Sequence, residues 1–125
     1  MTAGELMNRT FETVQADARL EDVARKLQTS GPGLLPVCQD GILVGTITTH
    51  DILHREDPLP RRRGESLRVA DVIAPDLLFC FESTEVSEAA NLMRENHVRM
   101  LPVLSPSKTV VGMLALDSIP SEEAV

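Results

Sequence analysis

The sequence predicts an α/β (α+β) chain made of two successive β-α-β-β-α units, each introduced by a short helical turn. Three observations carry this prediction. Residues 34–37 read Leu-Leu-Pro-Val and residues 100–103 read Met-Leu-Pro-Val, an offset of 66. The same offset, applied backwards without a gap, lays Leu20 on Val86, Ala24 on Ala90, Leu27 on Met93 and Met7 on Ile73. After one inserted residue, Gly45 falls on Gly112 and Ile52 on Ile119. An apolar pattern that keeps register over so long a stretch marks one structural unit used twice.

The elements follow in order. Helical turns are expected at 3–7 and 68–73, and short strands near 11–14 and 77–81. Leu20, Val23, Ala24 and Leu27 recur at helical spacing, as do Val86, Ala89, Ala90 and Met93. Asp17 and Ser83 stand at N-cap positions, with a residue of latitude. Gly31-Pro32-Gly33 stops the first helix. Apolar runs at 34–38 and 101–104 then meet turn residues, Gln39-Asp40-Gly41 and Ser105-Pro106-Ser107. Second strands, 42–48 and 109–115, are rich in the β-branched residues that suit a pleated surface. Residues 56–67 hold two prolines, the run Arg61-Arg62-Arg63 and Gly64, which reads as a linker. The chain therefore divides into a first copy at 1–55, a linker at 56–67, a second copy at 68–120 and a frayed tail at 121–125. A copy of about 50 residues is marginal alone, so the two are expected to pack together.

Composition narrows the function classes. With three Phe, no Tyr and no Trp, the core has to come from Leu, Val, Ile, Ala and Met. A net charge of −7 argues against nucleic acid as a partner, the basic run at 61–63 being the one local exception. No run of about 18 apolar residues is available to span a membrane, and the first residues lack a signal-peptide pattern, so a cytoplasmic location is expected. Cys38 and Cys80 sit in apolar runs without CxxC spacing and read as small buried hydrophobes in a reducing compartment. His50 and His54 are spaced i, i+4 beside Asp51, two-thirds of a metal site with no further ligand in view, so no metal is expected. There is no GxxxxGK[ST], GxGxxG or GxSxG, and no nucleophile paired with a base. Nothing points to an enzyme.

The best candidate site is the Thr48-x-x-Asp51 pair. Thr48 ends the last strand of the first copy and Asp51 begins the following helix. A carboxylate there can accept hydrogen bonds from ribose hydroxyls, and a threonine hydroxyl with backbone N–H groups at the helix start can face a phosphate. The plainer alternative is that Asp51 caps the helix while Thr48 finishes the strand.

Taken together, Leu6-Met7, a helix, Leu-Pro-Val and then Gly45-Thr46-Ile47-Thr48-Thr49-His50-Asp51-Ile52 resemble the CBS (cystathionine-β-synthase) domain. The second copy carries Val72-Ile73, Leu101-Pro102-Val103 and Gly112-Met113-Leu114-Ala115-Leu116-Asp117-Ser118-Ile119. The resemblance covers residues 3–120 and implies a pseudo-two-fold pair of repeats, a Bateman module. Such a pair has two clefts that can take AMP, ADP, ATP or S-adenosylmethionine, and it commonly dimerises. No cofactor is required.

By resemblance, Asp51 would bind ribose, Thr48 would lie beside ribose and phosphate, and adenine would sit near Glu12, Pro32, Gly33, Thr46 and His50. Arg99 stands where family members often carry a basic phosphate ligand. The counterparts of Thr48 and Asp51 in the second copy are Ala115 and Ser118, with Asp117 one residue early and so about 100° away around a helix start. One good site per chain is therefore expected. The expected function is a regulatory adenosine-ligand sensor, acting as a homodimer and on a regulated protein. The alternative is a ligand-independent dimerisation or partner-docking module, and a third reading makes it redox- or metal-responsive through Cys38, Cys80 or the histidine pair.

Overall fold

The computed structural model describes residues 1–29, 34–49, 51, 68–73 and 77–120. The linker, the arginine run, His54 and the tail lie outside the described residues. The chain is α/β, and each of its two compact units holds a three-stranded sheet in which a central strand pairs parallel on one side and antiparallel on the other. One unit comprises Glu12–Leu77, the other Met1–Phe11 together with Leu78–Val125.

In the unit Glu12–Leu77, β1 (Val14–Gln15) pairs parallel with β2 (Leu34–Gln39), which pairs antiparallel with β3 (Ile42–Thr48). The Asp40-Gly41 turn joins the last two with φ of 54° and 80°, the pair of positive values that a tight hairpin demands and that Asp-Gly supplies at low cost. Helix α2 (Leu20–Thr29) buries Leu20, Val23 and Leu27 against Leu35, Val37 and Ile47, the spacing of 3.6 meeting the spacing of 2.

The other unit repeats the plan. β4 (Cys80–Phe81) pairs with β5 (Met100–Leu104), which pairs with β6 (Val110–Ala115). Helix α3 (Val86–Glu95) buries Val86, Ala89, Ala90 and Met93 completely. Even the irregularities recur: the β2–β3 register shifts between Val37 and Cys38, and the β5–β6 register shifts between Val103 and Leu104, the same two positions under the offset of 66.

The packed units exchange their leading segments relative to the order of the sequence copies. Helix α1 (Ala3–Leu6), which opens the first copy, packs in the unit built from the strands of the second. Ala3 N–H donates to the Thr84 carbonyl at 2.7 Å and Gly4 N–H to the Glu82 carbonyl at 2.9 Å. Asn8 and Met113 exchange both backbone hydrogen bonds, at 2.8 and 3.0 Å. Conversely, the 3-10 turn at Val69–Asp71 packs in the unit built from the first copy, where Val69 is fully buried beside Val37 and Ile47. Its Val69 and Ala70 N–H groups donate to the carbonyls of Ala18 and Ala16. The repeats as sequence and the units as packed bodies are thus cut at different places.

Three local expectations are corrected. The N-cap of α3 is Glu85, not Ser83, because Thr84 directs its hydroxyl to the Phe81 N–H at 3.0 Å and completes a turn before the helix opens. Helix α2 opens at Leu20, three residues after Asp17, whose carbonyl receives the Arg68 guanidinium at 3.2 Å. The last element of the second copy is a single 3-10 turn, Leu116–Ser118, rather than an α-helix.

Candidate functional site

β3 alternates buried and half-buried residues: Leu43, Gly45 and Ile47 are buried, while Val44, Thr46 and Thr48 are half-buried. Thr46 and Thr48 sit opposite Pro36 and Leu34 of β2, on the face of the sheet away from Ile47 and α2. Thr48 is the last residue of the strand. Its backbone N–H donates to Asp51 Oδ2 at 2.9 Å, and its Oγ1 accepts the Asp51 N–H at 3.1 Å.

This reciprocal pair has the pattern of a capping box, with Thr48 at the N-cap position and Asp51 three residues on. It leaves chemistry unused. A carboxylate offers about four acceptor sites, and Asp51 spends one on Thr48. Among the described residues Oδ1 has no donor. The Thr48 hydroxyl accepts one hydrogen bond and still has its own proton to donate. The strand end therefore holds a half-buried carboxylate and a hydroxyl in fixed orientation, an acceptor and a donor side by side.

Of the other candidates, Glu12 is exposed and opens the same unit, before β1. Pro32, Gly33 and His50 lie outside the described residues. Arg99 belongs to the other unit, at the start of β5. Its Nη2 donates to Asp117 Oδ1 at 2.6 Å, with both side chains about three-quarters exposed (73% and 76%). The sequence identified Asp117 as out of place for a cap; the structure shows where its carboxylate goes instead. Ala115, the counterpart of Thr48, caps the Leu116–Ser118 turn without any side-chain hydrogen bond, and Ser118 is exposed.

A cavity of about 460 Å³ that the sequence did not foretell opens at the other end of β3 from Thr48. Asp17, Cys38, Gln39, Asp40, Arg68 and Asp71 line it, around the carboxyl ends of β1 and β2. Only tertiary packing assembles these residues, since the Val69–Asp71 turn comes from the far side of the linker. Among the described residues no three His, Cys, Asp or Glu side chains gather to hold a metal ion, and no helix is long and apolar enough to cross a membrane. Cys38 and Cys80 are free thiols, both buried.

Comparison with known proteins bears on this geometry. Residues 3–57 and 69–119 each match the CBS domain. The homoserine O-acetyltransferase of Methanosarcina acetivorans is 26% identical over 116 residues, a match that takes in 92% of this chain and 20% of that protein. The chain thus spans about a fifth of the enzyme's length. The crystal structure of the cytosolic domain of the Mg2+ channel MgtE in complex with ATP superposes with a TM-score of 0.78 and 25% identity, covering 94% of this chain and 46% of that one. The crystal structure of CBSX2 in complex with AMP superposes with a TM-score of 0.77 and 23% identity, covering 94% and 91% of the two chains.

Proposed function

The chain belongs to the CBS domain family, with two copies of the domain, and from that premise we propose that it is a regulatory module that binds an adenosine-containing ligand: AMP, ADP, ATP or S-adenosylmethionine. The observation that carries the reading is the Thr48–Asp51 box, which orients a carboxylate whose Oδ1 has no donor among the described residues. A ribose presents two adjacent hydroxyl donors, and Asp51 supplies the acceptors for them. The remaining Thr48 proton suits an oxygen of the ribose or of a phosphate. Thr46 on the same strand face, Glu12, Pro32, Gly33 and His50 form the proposed adenine surroundings. Arg99 is assigned to phosphate. The MgtE cytosolic domain, 25% identical and crystallised with ATP, supports the ligand class. No catalytic role is assigned to any residue; the module is taken to work in the cytoplasm as a homodimer that regulates another protein.

The test is thermal stability against a panel of AMP, ADP, ATP, S-adenosylmethionine and NAD. A ligand at about 100 times its Kd stabilises the folded state by roughly 2.7 kcal/mol, several degrees of Tm for a domain of this size. Asp51→Ala and Asp51→Asn separate the two roles of the carboxylate. The alanine variant is expected to lose about 1 kcal/mol without ligand, from the missing cap, and to lose the ligand shift as well. Asparagine still caps, so Asp51→Asn should keep the unliganded Tm yet bind at least tenfold more weakly. Unaltered affinity in Asp51→Asn would remove Asp51 from the ribose site.

One observation favours a second reading. The other copy has Ala115 and Ser118 where the box should be, and it retains the fold all the same. A module whose two copies are both silent would act only by dimerising or docking, and absence of any shift across the panel in a folded protein selects that reading.

A further inference from the structure

The cavity at the far end of β3 from Thr48 lies wholly within the unit Glu12–Leu77, and backbone hydrogen bonds join its walls. Ala70 N–H donates to the Ala16 carbonyl and Ala16 N–H to the Cys38 carbonyl, each at 3.0 Å. Arg68 N–H holds Asp71 Oδ2 at 2.8 Å. The other unit repeats this frame: Gly4 N–H donates to the Glu82 carbonyl, Glu82 N–H to the Leu104 carbonyl, and Thr2 N–H to Glu5 Oε1. The side chains on the frame differ. Arg68 stands where the other unit has Thr2, and the offset of 66 sets Asp17 on Ser83 and Cys38 on Leu104. The frame therefore forms without a guanidinium or an aspartate at these places, so the charges around the cavity are not what holds it.

Those charges are of both signs and largely uncommitted. Among the described residues Arg68 makes no ion pair; its Nη1 donates to the Asp17 carbonyl at 3.2 Å, which leaves most of the guanidinium donors open. The Asp17 and Asp40 carboxylates accept no hydrogen bond among the described residues. Cys38 and Ala16, both buried, line the same cavity and give it an apolar wall, where the Cys38 thiol has no partner among the described residues. We infer that this cavity is a second ligand site, for a basic α-amino acid, the class of L-lysine and L-arginine. The Arg68 fork matches a carboxylate. Asp17 and Asp40 each match a cation, so a ligand with one carboxylate and two cationic groups satisfies all three. Its methylene stem suits the wall of Cys38 and Ala16. An anion would meet three aspartates for one arginine, and a diamine would leave Arg68 unanswered. No three of the acidic and sulfur ligands among the described residues gather closely enough to hold a metal ion, which favours an extended organic ligand. A volume of about 460 Å³ has room for one.

Amide NMR of the full chain, titrated with L-lysine, L-arginine, cadaverine, L-glutamate and AMP, tests this. L-lysine and L-arginine are expected to move the amides of residues 15–17, 38–40 and 68–71 saturably while Thr46 and Thr48 stay in place. Cadaverine, which lacks the carboxylate, should bind more weakly than L-lysine, and L-glutamate should leave these amides unmoved. Arg68→Met should weaken L-lysine about three- to tenfold, the worth of one charge-assisted hydrogen bond in a wet site, and leave cadaverine unchanged. Asp40→Asn should weaken both. Asp40 is exposed in the hairpin turn, so that variant reports on binding even if Arg68→Met lowers the Tm. Equal movement by L-glutamate, L-lysine affinity unaltered in both variants, or no saturable movement by either basic amino acid in the folded chain overturns the inference. Movement of these amides by AMP in place of L-lysine would give the cavity to a nucleotide and overturn it as well.

Discussion

Cys80 lies in β4 against the core of its unit, and burial pushes its thiol from 9.0 up to about 11; burial raises Cys38 as well. A raised thiol pKa favours folding as long as the unfolded thiol is still protonated. That contribution is complete below about pH 9, and it is lost as pH rises from there towards about 11, where the folded thiol ionises too. Denaturant unfolding between pH 8 and 11 should show this alkaline loss, and Cys80→Ala should flatten it. Both thiols are expected to resist a disulfide reagent at pH 8 until denaturant is added, because the thiolate is the reactive form. Rapid labelling of the native protein would revive the redox-responsive reading. At this scale the sequence was a good guide: cysteines in apolar runs are buried cysteines.

At the scale of elements, the ends of the helices and the crossings of segments carry the information. Helix α3 stops at Asn96 and His97, with His97 at φ 57° and the Val98 N–H returning to the Met93 carbonyl at 2.9 Å. Glycine is at ease in this left-handed C-terminal conformation and histidine is not. The offset of 66 places Gly31 at the matching position of the first copy. His97→Gly is expected to stabilise the protein by about 1 kcal/mol, measured as a shift in the denaturant midpoint at constant m. Gly112 has a different reason. A Cβ there would meet Met7 Cγ at 2.8 Å and the Asn8 carbonyl at 3.1 Å, so the segment after α1 lies directly on the strand. Gly112→Ala should cost about 1–3 kcal/mol in the same measurement, the usual penalty of overpacking. The Gly45–Gly112 match was visible as a mark of the repeat, but its cause was not, because Met7 is more than 100 residues away in sequence.

For the whole molecule, the exchange of leading segments sets which pieces of chain stand or fall together. Val69 follows the linker yet is completely buried with Val14, Val37 and Ile47. Val69→Ala is expected to destabilise by about 1–3 kcal/mol, and in hydrogen exchange the amides of β2 should lose protection although the substitution lies in the second sequence copy. The same logic distinguishes two fragments of similar length. A peptide of residues 12–77 contains every element of its compact unit, whereas a peptide of residues 1–55 lacks the Val69 turn and carries Ala3 and Met7 with no core to enter. Dispersed amide resonances are expected for 12–77 and not for 1–55; the opposite outcome would show that the copies fold as the sequence divides them.

Among the described residues, the sequence by itself determined the central helix and the hairpin of each copy, their buried helix faces and the Thr48–Asp51 pair, because each depends on residues within a few positions of one another. A periodicity of 2 or 3.6, an Asp-Gly turn and a strand end three residues from its cap are local facts. Tertiary structure alone decided that α1 and the Val69 turn pack on the other copy's strands, that Asp117 pairs with Arg99, and that a cavity gathers Asp17, Asp40 and Arg68. Those outcomes hang on contacts between residues 18 to more than 100 positions apart, where side-chain pattern states only that a surface will be covered. Which segment covers it follows from how the folded chain returns.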